Sequence, residues 1–301
     1  MRGILSNYTL IFLLLCCTLW SCHYSNTLSK QEKEYLKGYE DIYVGVYVNY
    51  PPYQFVNDSG KIDGILLDYF SLIEEKIDHQ FKKKVYTNWQ LLLNDVKLGV
   101  IDIVLEIQQT EKRSKYLSFT KPIFTGRHMV ACRSNDNYTT IQSLKGKKVA
   151  LGADYSIEEY ALENFPDIEI VPKANESECL DALIHKEVDA VISVEAVLNY
   201  LITKKDISDI KVEFALNYEN DLGIAVHSPR ETLFKIINKA NDEISDEEKK
   251  AILEKWLYDI HEPFYKKNTS LFKYTVLALL LLSLGFNIYQ QKKIRNLVNK
   301  M

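Results

Sequence analysis

Cysteine is scarce: of five in 301 residues, three fall within the first 22, leaving Cys132 and Cys179 for the rest of the chain. Two thiols cannot make a disulfide framework, so an apolar core must hold the fold. In an oxidising compartment the two could pair with each other, but two buried, unpaired thiols are the favoured reading, because free cysteine behaves as a small core hydrophobe. Histidine is sparse too. His79, His128, His185 and His227 show no metal-ligand spacing, so no metal or other cofactor is expected. Positive charge is not in surplus: the net charge is −4, whereas nucleic-acid binding needs clustered Lys and Arg in excess. The run KKK at 82–84 is read as a solvated face.

What is present is ordinary for a folded chain, with 47% hydrophobic and 26% charged residues. Long uncharged apolar runs are confined to the two ends. Arg2 precedes an apolar stretch from Leu10 to Trp20, too short to span a bilayer comfortably, so residues 1–22 read as an export signal. Leu19, Trp20, Ser21 and Cys22 resemble a lipoprotein signal-peptidase box. Acylation of Cys22 and ordinary cleavage nearby are both open. At the other end, YTVLALLLLSLGFNIY (274–289) has no charged residue. Its length of roughly 24 Å, extended by Leu271, Phe272 and a snorkelling Lys273, suits a transmembrane helix over 271–289. A buried core helix is the alternative, disfavoured by the missing polar face. Tyr274 and Tyr289 suit the two interfaces, and Lys292, Lys293 and Arg295 mark residues 290–301 as a short cytoplasmic tail. Within the tail, Ile294, Leu297 and Met301 are spaced like the start of a dimerising helical seam.

Between Asp41 and Ile260, short apolar runs alternate with helical periodicities. Residues 42–48, 101–107, 147–152, 168–171, 189–193 and 222–226 read as buried strands. Over 64–78 a helix is expected with Leu66, Phe70, Ile73 and Ile77 on one face. Two capping boxes are expected, Ser228 with Glu231 and Ser245 with Glu248. The alternation implies α/β layers with mostly parallel sheets, in which ligands bind outside the carboxyl ends of the strands. NYPPYQF, TNWQLLL, TEKR and GADYSIEE all fall at such strand ends, and several converging loops suggest one shared pocket.

The blocks VGVYVNYPPYQF, GKIDGILLDYF, NWQLLL, GVIDIVLE, TEKRSKYLSFTKPIF, SLKGKKVALGADYS, EVDAVIS and ILEKW, in this order, resemble the bacterial extracellular solute-binding proteins of family 3. The resemblance spans roughly residues 41–260 and is closest to the membrane-anchored sensor domains of hybrid histidine kinases. It implies an α/β, two-lobed type 2 periplasmic-binding-protein (Venus-flytrap) fold with two hinge strands, here followed by the C-terminal transmembrane helix. Lobe 1 would comprise 41–130 and 222–262, and lobe 2 would comprise 131–221. The chain would cross over near His128 to Arg133 and return near Asp221 to Val226.

For the site, the resemblance implies that Arg113, in the TEKR block with Thr110, clamps a ligand carboxylate, a task suited to a planar five-donor fork. The other reading of Arg113 is an ion pair with a nearby acid. Ser156, at a helix N-terminus, would meet the same anion, and a plain N-cap is compatible with that role. Tyr50 and Trp89 fall at aromatic-wall positions, and ordinary packing at the lobe interface is the other reading of both. Two departures stand out. Where amino-acid-specific members carry an ammonium-binding Asp, this chain has Val194, with Glu195 adjacent as a substitute. Glu106 and Gln108 replace small hydroxyl residues, and Glu106 could bind a cationic group or pair with Arg113.

The expected function is therefore a non-enzymatic, membrane-anchored sensory domain on the outer side of the cell membrane. It would close around an amino acid or other carboxylated solute and signal through a partner. Two alternatives remain: a tethered binding component working with an ABC permease, and a dehydratase-like enzyme using Glu106 or Glu195 as its acid.

Overall fold

Val44 and Val46 alternate with Tyr43, Gly45 and Tyr47 in the first strand of a nine-stranded sheet, and the other apolar runs join it. The computed structural model describes residues 28–38 and 41–258. The export signal, Cys22, the apolar run at 271–289 and the tail at 290–301 lie outside the described residues. Among the described residues no helix is long and apolar enough to cross a membrane.

In chain order the elements are α1 (Lys30–Gly38), β1 (Tyr43–Tyr47), β2 (Asn49–Tyr50), β3 (Gln54–Val56), β4 (Ile62–Asp63), α2 (Ile65–Ile77), β5 (Lys82–Tyr86), α3 (Trp89–Lys97) and β6 (Ile103–Ile107). A 3-10 turn at Arg113–Lys115 leads to β7 (Leu117–Phe119) and β8 (Phe124–Arg133). There follow β9 (Lys148–Gly152), α4 (Ser156–Asn164), β10 (Glu169–Lys173), α5 (Glu176–Ile184), β11 (Ala190–Val194), α6 (Glu195–Lys204), β12 (Ile210–His227), α7 (Glu231–Asp242) and α8 (Asp246–Leu253). A second unit begins at Glu254, and its described part, Glu254–Tyr258, is a π-helical turn.

The sheet runs β10-β9-β11-β8-β12-β6-β1-β5, with β7 on β12 and a separate small sheet β2-β3-β4. Each half has a parallel heart: β1 between β5 and β6, and β9 between β10 and β11. The two long strands that join the halves are antiparallel to their neighbours, so the sheet is less parallel than the sequence suggests. β12 pairs with β8 from Ile210 to Leu222 and then with β6 and β7 from Gly223 to His227. Register breaks between Ala215 and Glu219 and between Gly223 and Ala225 let one strand serve both halves.

The expected face of α2 is present: Leu66, Phe70, Ile73 and Ile77 are all buried, each contributing about 1.5–3 kcal/mol. Gly64, at φ +139°, starts this helix where an added Cβ would stand 2.2 Å from the Tyr53 carbonyl oxygen. Around β9, a second core gathers Val130, Cys132, Leu144, Val149 and Ile192. Both Cys132 and Cys179 are buried and free.

The Ser245–Glu248 capping box forms in both directions, at 2.7 and 3.2 Å. The one expected at Ser228 does not: α7 starts after Arg230 and has no side-chain cap. Nor is KKK merely solvated, since Lys82, Lys83 and Lys84 pair with Asp41, Glu74 and Asp95 in turn.

Candidate functional site

The end of β6 and the two loops facing it build the site. The Arg113 turn is set by Thr110, whose Oγ1 accepts from the Arg113 N–H at 3.3 Å and whose carbonyl accepts from the Ser114 N–H at 2.9 Å. This turn carries the Arg113 side chain inward, where it is 5% exposed. Its Nη1 donates to the Gln108 carbonyl and its Nη2 to the Asp154 carbonyl, both at 2.8 Å. The guanidinium carbon lies 5.7 Å from the Trp89 ring centroid, a cation-π contact of about 0.5–2 kcal/mol. Burial pushes the Arg113 pKa down, although arginine keeps its charge in proteins. No acid pairs with it among the described ion pairs, which sets aside the ion-pair reading.

Asp154 belongs to the opposite half of the sheet, in the turn between β9 and α4, with a left-handed φ of 60°. Its carbonyl accepts from Arg113 and, at 3.2 Å, from Trp89 Nε1, filling both lone pairs. Gln90 Nε2 reaches the neighbouring Ala153 carbonyl at 3.3 Å. Trp89 and Gln90 are in place because Asn88 caps α3, its side chain accepting from the Leu91 N–H.

Gln108 is the hub. Besides its carbonyl on Arg113, its Oε1 accepts from Ser156 Oγ at 2.5 Å and its Nε2 donates to the Glu219 carbonyl at 2.9 Å. Ser156 is the first residue of α4, not its cap, since Tyr155 holds that position. Two hydroxyls line the opposite wall: that of Tyr155 lies 3.2 Å from Glu176 Oε2 and 3.3 Å from the Tyr47 hydroxyl, with one proton to donate between them, and Tyr47 donates to the Ala174 carbonyl at 3.3 Å. Tyr50 stacks on Tyr53 at 5.3 Å and meets Tyr155 edge-on at 6.1 Å.

These groups enclose a cavity lined by Tyr50, Trp89, Glu106, Gln108, Arg113 and Ser156, six of the eight expected ligand residues. It offers about 40 Å³ to the centres of water-sized molecules, room for a few waters. Thr110 and Glu195 do not line it: Thr110 shapes the Arg113 turn, and Glu195, at the start of α6, pairs with the exposed Arg127 at 2.7 Å. Glu106 does not pair with Arg113. It is 6% exposed, and neither carboxyl oxygen has a hydrogen-bond partner.

The sequence reading gives no site role to several lining residues, among them Tyr47, Tyr155, Ser193, Asn220, Glu176 and His128. Glu176 is 2% exposed at the first position of α5, and burial pushes its carboxyl up to about 8. His128, on β8, stacks on Tyr218 at 5.2 Å and holds its carbonyl through Nδ1 at 3.0 Å. Burial pushes its pKa down to about 4, so it is neutral near pH 7. Among the described residues no group of acids, histidines and cysteines is arranged to hold a metal ion.

Known proteins resemble this chain in sequence and in fold. The chain is 25% identical over 217 residues to the L-cystine-binding protein TcyJ of Escherichia coli (strain K12), a match covering 71% of this chain and 81% of that protein. It is 21% identical over 273 residues to the virulence sensor protein BvgS of Bordetella pertussis, covering 89% of this chain but 22% of that much longer protein. The crystal structure of a histidine kinase sensor domain with similarity to periplasmic binding proteins superposes with a TM-score of 0.69 at 23% identity, over 73% of this chain and 96% of that one. The fold is thus the two-lobed α/β periplasmic-binding-protein fold. Residues 42–259 match the pattern of a single family, and the chain belongs to the bacterial extracellular solute-binding proteins, family 3.

Proposed function

We propose that this chain is a membrane-anchored, extracytoplasmic sensor domain that closes around a carboxylated solute of the amino-acid class. Closure would be passed to a transmembrane helix at 271–289. The observation that carries the reading is Arg113: a buried guanidinium at the cleft, paired with no acid and held on main-chain carbonyls from both halves. A ligand carboxylate offers the same kind of acceptor with a full charge, in the bidentate geometry the fork prefers. Ser156 and the α4 N-terminus would complete the anion site, and Trp89 and Tyr50 would wall it.

The lobes would be 41–130 with 222–262, and 131–221, hinged where β8 and β12 pass between the halves of the sheet. A solute shifts the open-closed balance by its differential affinity for the closed form. Similarity to sensor proteins supports a signalling role for that motion.

A second reading, a tethered binding component of an importer, has one observation in its favour: the chain covers 81% of a stand-alone binding protein. The two readings separate cleanly. Deleting the gene would abolish uptake of the labelled solute in the importer case and leave uptake unchanged in the sensor case. A carbonate wash of membranes tests the anchor, which retains the protein in the pellet.

Binding itself is tested by thermal melts of the purified protein against amino acids, small carboxylates and polyamines. Ligand at a hundred times its Kd stabilises the folded state by about 2.7 kcal/mol. A stabilising carboxylate supports the reading, and a panel without any overturns it.

A further inference from the structure

The donors around Arg113 are not equally free to take a solute. A guanidinium carries five N–H donors, and Arg113 directs Nη1 at the Gln108 carbonyl and Nη2 at the Asp154 carbonyl, so its fork keeps donors in reserve. Ser156 has a single hydroxyl proton, and that proton goes to Gln108 Oε1 at 2.5 Å. Among the described residues Ser156 Oγ has no other partner, since the Tyr218 hydroxyl reaches the Ser156 carbonyl instead, at 3.5 Å. The Gln108 amide is fixed at its other end, where Nε2 donates to the Glu219 carbonyl at 2.9 Å. Glu219 stands at the register break where β12 passes between the halves of the sheet. One buried side chain thus ties β6 to α4 and to β12. Gln108 also lines a second cavity, of about 280 Å³, together with Gln109, Phe119, Thr120 and Asp221. Its polar wall suits an amide that has left Ser156, because a buried amide needs hydrogen-bonding partners.

We infer that the Gln108 side chain is a tethered competitor for the anion site: it holds the Ser156 hydroxyl until a solute's carboxylate displaces it, and so limits how tightly the site binds. The inference rests on the clamp reading of Arg113. It gives Gln108, expected from the sequence to be a ligand contact, the opposite effect on affinity.

A carboxylate oxygen is a stronger acceptor than a neutral amide oxygen because it carries charge, so it can take the hydroxyl from Gln108. The solute still loses whatever the amide gained from its bonds to Ser156 and Glu219. A serine at 108, the kind of small hydroxyl residue that Gln108 replaces, has no amide and cannot bridge those two groups. The same displacement releases a carbonyl of β12, so binding at the anion site alters a contact on the strand that joins the halves.

The test is calorimetric titration of the purified full-length protein with the standard L-amino acids, acetate and succinate. The tightest of these is then titrated into Gln108→Ser and Gln108→Met, the second of which keeps the bulk of glutamine without its amide. Both variants are expected to bind about fivefold or more tightly than the parent, the effect of about one competing hydrogen bond removed. In a Ser156→Ala background the gain should fall to about twofold or less, because the two side chains act through one contact. A loss of affinity in Gln108→Ser, as a ligand contact requires, overturns the inference, and so does an unchanged affinity. A gain in Gln108→Ser that Gln108→Met lacks also overturns it, since bulk and not the amide is then responsible, as does a gain that survives intact in Ser156→Ala. Unliganded melts accompany each titration, and Gln108→Met decides alone if Gln108→Ser does not melt cooperatively. Where Arg113→Ala abolishes binding but the Gln108 variants show no gain, the clamp stands and the inference falls. Absence of binding in the parent and in both variants overturns the two together.

Discussion

Arg113 reaches across the cleft to Asp154 through the main chain: Nη2 donates to the Asp154 carbonyl at 2.8 Å, and the Asp154 carboxylate plays no part in that bond. The contact depends on the backbone at 154, held at φ 60°. Glycine and aspartate adopt that conformation, whereas a β-branched residue resists it. Asp154→Gly should keep the solute affinity of the parent. Asp154→Val should cost about 1–2 kcal/mol of stability and weaken binding, both measurable by melts with and without solute.

Gly64 offers a sharper structural test. An added Cβ there meets the Tyr53 carbonyl oxygen at 2.2 Å, and the atom in the way is backbone, which cannot swing aside. Gly64→Ala should lower stability by at least about 1–3 kcal/mol in a denaturant titration, whereas Gly60→Ala, with nothing within 4 Å of an added Cβ and a φ of 77°, should cost only about 1 kcal/mol.

Stability should respond to pH from both sides. The Glu176 carboxyl keeps its proton in the folded state up to about 8, far above its unfolded value of 4.5. The stability tied to that proton is complete below about pH 4.5 and falls as pH rises through 8, by up to about 1.4 kcal/mol per pH unit. Glu176→Gln should flatten this alkaline slope. His128 has the opposite sign: its folded pKa of about 4 lies below its ordinary 6.5. Its contribution is complete above 6.5 and falls as pH drops through 4, so His128→Asn should reduce the acid-side loss. Urea titrations from pH 4 to pH 9 measure both slopes.

Sequence makes Arg113 and its neighbours readable as a site and leaves the buried Glu176 on the cavity wall unreadable, for definite reasons. Arg113, Trp89 and Ser156 sit in ordered blocks at strand ends, where local signals and family resemblance coincide. Glu176 looks like any acid in the first turn of a helix, where the dipole favours it at the surface. Its burial depends on α5 abutting β9 and β11 of its own half and β2 of the facing one, which no local pattern reports. Glu195 reads as a site residue through its closeness to Val194, but the chain turns into α6 at that point and sends its side chain to Arg127. In the same way, the 18-residue β12 includes the polar stretch NYEND, so only its apolar end at 222–226 read as strand. The run FTGRHMVACR reads poorly too, because β8 must cross between the halves.

The most direct measurement is the solute affinity of Arg113→Ala, read by calorimetry beside its unliganded melting temperature. Loss of detectable binding in a variant that still melts cooperatively is the predicted result. An affinity equal to that of the parent protein would contradict the account, because no other permanent cation lines the cavity among the described residues.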